Sequence, residues 1–104
     1  MKQPLPVVVL ISGSGSNLQA LIDAAATPGY PARVCAVISN QEEAYGLRRA
    51  QEAGIAAKVL SHREYADREA YDRALMALID TYSPGLVVLA GFMRILTPAF
   101  VEHY

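Results

Sequence analysis

The chain has 104 residues, 9 Lys plus Arg against 10 Asp plus Glu, and a formal net charge of -1, a balance that argues against nucleic-acid binding through a basic surface. With 53% hydrophobic and 18% charged residues, it is too apolar for a disordered segment and can bury about two thirds of its unfolded surface in one small domain. The single cysteine, Cys35, leaves no intramolecular disulfide and no cysteine-rich zinc site and fits a reducing, cytoplasmic setting, while no apolar run approaches the roughly 20 residues of a membrane span and 1–6 lack a signal-peptide pattern.

Val7 to Ile11, entered through Pro4 and Pro6, is an unbroken apolar run, expected as a strand buried on both faces. From Ser16 the apolar positions Leu18, Leu21, Ile22 and Ala25 fall on one helical face, and the helix is expected to end before Pro28-Gly29. Val34 to Ile38 reads as a second buried strand. A helix is expected from about Glu42 to Ala53, with Leu47 and Ala50 inward and Gly54 as its terminal cap. Ala57 to Leu60 is a short third strand. Tyr71, Leu75, Leu78, Ile79 and Tyr82 make a helical stripe between Arg68 and Tyr82, stopped by Pro84 and Gly85 ahead of a fourth strand, Leu86 to Ala90. The final segment, Gly91 to Tyr104, reads as a loop and a short helix with Thr97 as its cap and Pro98 at its first position.

Strands alternating with helices imply parallel pairing through right-handed crossovers. The expected fold class is α/β, a doubly wound, mostly parallel sheet with helices on both faces. No linker, low-complexity tract or charge block divides the chain. It stops at Tyr104 soon after the fourth strand, and is therefore expected to be a single truncated half domain over 1–104. The uncovered strand edge is expected to serve self-association or pairing with a complementary carboxyl-terminal half.

Ser12-Gly13-Ser14-Gly15-Ser16-Asn17 follows the first strand. Two glycines allow a tight bend and close ligand approach, and the amides opening the next helix form an anion site, with a phosphomonoester as the natural guest. The plain alternative is a strand-to-helix turn capped by a serine. Leu18 stands where the dinucleotide fingerprint needs glycine, and Ser39-Asn40 where it needs an acid. The P-loop lysine is missing, and Gly13-Ser14-Gly15 lacks the spacing of a hydrolase elbow.

Ala90 to Leu96 lies at the carboxyl end of the fourth strand; Gly91 permits close approach, and Phe92, Met93, Ile95 and Leu96 offer either an apolar wall for a flat ring or simply core. Arg68, between Asp67 and Glu69, is either a solvated surface cation or one aimed at an external carboxylate. His62 and His103 are lone histidines expected at the surface, Cys35 a small buried hydrophobe, and no metal site can be assembled.

Together, Val8 to Asp23, Ile38-Ser39-Asn40, Ala44-Tyr45-Gly46-Leu47, Arg68-Glu69-Ala70-Tyr71-Asp72 and Val87 to Leu96 are specific enough to name a family. From about Val7 to Tyr104 the chain resembles the amino-terminal half of the phosphoribosylglycinamide formyltransferases, folate-dependent enzymes of purine synthesis with a Rossmann-like formyltransferase fold. The resemblance implies that the backbone of Gly15, Ser16 and Asn17 holds the phosphate of glycinamide ribonucleotide. It also implies that Arg68 contacts folate and that Met93, Arg94, Ile95 and Leu96 wall the pterin pocket. The implied reaction moves a formyl group from 10-formyltetrahydrofolate to the ribonucleotide amine, without a metal. The family's catalytic Asn and His, in an Asn-Ile-His-Pro motif, and its later Asp are expected beyond Tyr104, so no catalytic residue is assigned within the chain. The competing expectation is a non-catalytic phosphate-ligand-binding or assembly module; a nucleotide-binding oxidoreductase is disfavoured by Leu18 and Ser39-Asn40.

Overall fold

In the computed structural model, which describes residues 4–92 and 98–103, the first apolar run becomes the axis of the molecule. Strand β1 (Leu5–Ile11) has no solvent exposure from Val8 to Ile11. It leads into α1 (Ser16–Ala25), β2 (Ala32–Ser39), α2 (Tyr45–Glu52), β3 (Ala56–Val59), a short 3₁₀ turn (His62–Glu64), α3 (Arg68–Asp80), β4 (Leu86–Leu89) and α4 (Pro98–His103). The four strands form one sheet in the order β3-β2-β1-β4, with every pairing parallel.

The strand order explains the two layers. The chain steps outward from β1 through β2 to β3, then crosses back to place β4 on the other side of β1. Right-handed crossovers running in opposite directions put their helices on opposite faces. Accordingly Val7, Val9 and Ile11 pack with Leu18 of α1 and Leu47 and Ala50 of α2 on one face. Val8 and Leu10 pack with Tyr71, Leu75 and Ile79 of α3 and Phe100 of α4 on the other. The expected doubly wound sheet with helices on both faces is the fold observed.

Several boundaries differ from expectation for identifiable reasons. Strand β1 starts at Leu5, ahead of Pro6, because the proline serves the sheet only as an acceptor: its carbonyl takes the Gly85 amide at 2.8 Å, while the Leu5 amide bonds to Pro31. Helix α2 starts at Tyr45 rather than Glu42. The Ser39 hydroxyl donates to the Gln41 carbonyl and accepts from the Gln41 amide, at 2.8 and 2.9 Å, holding the chain in a turn before the helix begins. Gly54 does end α2, with φ of 74°, and the Ile55 amide returns to the Ala50 carbonyl at 2.9 Å. Strand β3 sits one residue earlier than expected.

Helix α3 begins at the expected Arg68, where Asp67 accepts the Ala70 amide at 2.7 Å, and ends at Asp80. Leu78 and Tyr82 are half-buried against the core of its face. Helix α4 begins at Pro98 as read; its expected cap, Thr97, lies outside the described residues. Cys35 is half-buried, its thiol donating to the Val7 carbonyl. Among the described residues β4 pairs with β1 alone, and Leu86 and Leu89 are 49% and 52% exposed. No described helix is long and apolar enough to cross a membrane.

The α3 layer offers a direct test of what holds the sheet. Leu75 is fully buried, and the buried Tyr71 donates its hydroxyl to the Leu60 carbonyl at 2.7 Å. Leu75→Ala is expected to lower the unfolding free energy by about 2–5 kcal/mol, through lost burial and a residual cavity. Tyr71→Phe, which removes the hydroxyl's bond to Leu60, should cost about 1 kcal/mol. Urea titration of both variants checks the ranking, and a Tyr71→Phe loss exceeding that of Leu75→Ala contradicts it.

Candidate functional site

In an open parallel sheet the chain leaves neighbouring strands in opposite directions where the strand order reverses, opening a crevice at their carboxyl ends. Here that reversal lies between β1 and β4. The crevice is a cleft of about 230 Å³ lined by Ser12, Gly13, Ser14, Gly15, Ser16 and Asn17 from the turn after β1, and by Ala90 and Gly91 after β4. The Ala90 amide bonds to the Leu10 carbonyl at 2.9 Å, tying the two walls together through the sheet.

The turn works through its backbone. Gly15 is the N-cap of α1 at φ 75° and ψ 28°, a left-handed conformation that favours glycine. It supplies no side-chain cap, and α1 has no acidic residue in its first turn. The serine-capped alternative is therefore not what forms. Gln19 is the first residue whose amide enters the helix ladder, bonding to the Gly15 carbonyl at 2.8 Å. The amides of Ser16 and Asn17 stand ahead of it at the positive end of the helix, on residues exposed in the cleft.

The structure thus brings Gly15, Ser16 and Asn17 together, and joins to them Ala90 and Gly91, which sequence reasoning had set beside a different ligand. Arg68 occupies the first position of α3, exposed, and does not line this cleft. Asp67 is occupied as the helix cap, and among the described residues Arg68 has no ion-pair partner. Met93, Arg94, Ile95 and Leu96 lie outside the described residues. Phe92 is half-buried against the α3 core, which for this residue favours the plain core reading. His103 is about half exposed and places Nε2 3.0 Å from Asp80 Oδ2, linking α4 to α3. Among the described residues no group of three His, Cys, Asp or Glu side chains could hold a metal ion.

Two residues of α2 that sequence reasoning left without a role sit directly behind the turn. The Gly46 amide donates to the Gly13 carbonyl at 3.1 Å, and Arg49 Nε donates to the Ser14 carbonyl at 2.8 Å. Gly46 carried a detectable signal: glycine in the first turn of a helix weakens it unless another backbone must come close.

Residues 5–104 match the family model described as formyl transferase. Over 98 residues the chain is 59% identical to phosphoribosylglycinamide formyltransferase of Escherichia coli K12, covering 94% of this chain and 46% of the relative. It is 45% identical over 103 residues to the human trifunctional purine biosynthetic protein adenosine-3, covering 99% of this chain and 10% of that protein. The solved phosphoribosylglycinamide formyltransferase of Brucella melitensis superposes with a TM-score of 0.96 at 44% identity, over 98% of this chain and 53% of that one. The Coxiella burnetii enzyme does so with a TM-score of 0.93 at 52% identity, over 98% and 48%. The chain thus spans about half the length of its single-function relatives. A family match covering nearly every residue, with close structural agreement with the solved relatives, makes this chain a member of the formyl transferase family.

Proposed function

We propose that this chain is the ligand-holding part of a cytoplasmic enzyme of purine biosynthesis that transfers a formyl group from 10-formyltetrahydrofolate to the amine of glycinamide ribonucleotide. The observation that carries the proposal is the uncapped, glycine-turned start of α1 in the β1–β4 crevice, in a chain whose close relatives bear the name of that activity.

In this reading the amides of Gly15, Ser16 and Asn17 hold the phosphomonoester, aided by the α1 dipole. A chain of net charge -1 offers no broad positive field, so the attraction is local. Arg68 pairs with a folate carboxylate in a charge-assisted bond. Met93, Arg94, Ile95 and Leu96 supply the wall for the pterin ring. The substrate amine attacks the formyl carbon, the new C–N bond forms, and the bond to the folate nitrogen breaks as the amine's proton passes to that nitrogen. Holding both substrates in register supplies the entropic part of the acceleration, and the tetrahedral oxyanion needs a donor. Within the proposal the groups that move the proton and face the oxyanion are the Asn, His and Asp that the family resemblance places outside this chain. A second, non-catalytic reading draws on the β4 edge: exposed Leu86 and Leu89, on a strand that pairs only with β1 among the described residues, would dock the rest of the enzyme, or a second copy.

Three outcomes follow, the first two for this chain within the complete enzyme and the third for the chain by itself. Gly15→Val should abolish glycinamide ribonucleotide binding in titration calorimetry, and unchanged affinity sinks the phosphate assignment. Arg68→Ala should raise the folate KM with little change in kcat, whereas an unchanged KM returns Arg68 to solvated surface. The 104-residue chain alone should show no formyl transfer in a spectrophotometric folate assay, because loss of the proton-handling groups together costs several powers of ten in rate. Turnover by the purified chain would place catalysis among its own residues.

A further inference from the structure

We infer that α2 is the template that aims the phosphate-binding amides, and that Arg49 is the positioning residue through which it acts. The inference rests on the proposed phosphate site and concerns how that site acquires its shape.

A trans peptide unit is planar, so its carbonyl and its amide hydrogen point in opposite directions. Anchoring one therefore aims the other. The Gly13 carbonyl is held by the Gly46 amide at 3.1 Å, which turns the Ser14 amide away from α2. The Ser14 carbonyl is held by Arg49 Nε at 2.8 Å, which turns the Gly15 amide away from α2. Neither the Ser14 nor the Gly15 amide bonds to a described group, and both residues line the cleft. Two consecutive peptide units are thus clamped by their oxygens on the α2 side. Their donors are left to join those of Ser16 and Asn17, and successive amides of this kind form a concave anion cup.

The clamp requires α2 to lie against the turn at backbone distance. A Cβ at Gly46 would clash with Ile11 Cδ1 and come within 3.2 Å of the Gly15 Cα, and a Cβ at Gly15 would meet the Gly46 Cα at 2.7 Å. Each glycine makes room for the other. Arg49 is itself fixed: Nη1 donates to Gln19 Oε1 at 3.3 Å, the guanidinium lies 4.9 Å from the Tyr45 ring centroid, and Gln19 Nε2 donates to Asp23 Oδ1 at 2.9 Å. Arg49 therefore bridges α2 to both the turn and α1 without lining the cleft. Lysine cannot substitute, because its donors sit only at the end of the stem and none occupies the Nε position.

The test is steady-state kinetics on the full-length protein and its Arg49→Met and Arg49→Lys variants, with the urea midpoint of each recorded. Release of the Ser14 carbonyl should raise the KM for glycinamide ribonucleotide roughly tenfold. The folate KM, kcat and urea midpoint should stay near the parent values. Arg49→Lys should be as impaired as Arg49→Met. Parent-like kinetics in Arg49→Met overturn the assignment. Full rescue by lysine also overturns it, reducing Arg49 to a source of positive potential. Joint collapse of both KM values, kcat and the urea midpoint marks a folding role only and overturns it as well. A parent protein with no glycinamide-ribonucleotide-dependent turnover overturns the proposed function and this assignment with it, an outcome distinct from active parent and unaffected variant.

Discussion

The burial of β1 on both faces is the constraint from which the rest of the structure follows. Val8, Val9, Leu10 and Ile11 have no solvent exposure, so neither side of the strand can be left to water and every backbone group must find a partner. Parallel neighbours on both edges, β2 and β4, satisfy the backbone, and each needs a crossover that covers one face. Placing those neighbours on opposite sides of β1 makes the connections diverge at its carboxyl end. The cleft between Ser12–Asn17 and Ala90-Gly91 is the space that divergence leaves. Its position is set by topology before any polar side chain contributes.

The same constraint decides what could be read from the letters. Strands β1 and β2 were legible because burial on two faces leaves an unbroken apolar run, and α3 because Tyr71, Leu75 and Ile79 recur at helical spacing on its core face. Legibility fails where burial is partial. Strand β3, four residues long with an exposed Val59, carries too little pattern to fix its register to the residue. The start of α2 was misread because Glu42 and Glu43 suit a helix, while the local competition from the Ser39 hydroxyl leaves no periodic signature. Asp72, within the same segment as the α3 stripe, is 1% exposed, a burial that no hydrophobic pattern announces.

At the site, the turn Gly15-Ser16-Asn17 was legible because its ingredients are contiguous: a buried strand, two glycines and an amphipathic helix. The contribution of α2 was not, because Arg49 reaches the Ser14 carbonyl across 35 positions of sequence and the enabling feature at Gly46 is an absent side chain. Met93 to Leu96 were assigned by family resemblance and lie outside the described residues. Arg68 is placed where the sequence put it, at the exposed start of α3.

These observations bear on how such a site tolerates sequence change. Ser14, Ser16 and Asn17 are exposed, and in the proposed phosphate cup they contribute backbone amides, so their side chains are free to vary within what the turn allows. Gly15 and Gly46 are not free, since a Cβ on either would strike the other's backbone or the buried Ile11. The chemical information of the site is thus concentrated in residues without side chains and in one arginine that stands behind them. An anion held this way meets fixed dipoles whose direction is set when the sheet and helices pack, so little reorganisation is needed when it binds. Packing of α2 against the turn and affinity at the cleft are, on this account, two consequences of one contact.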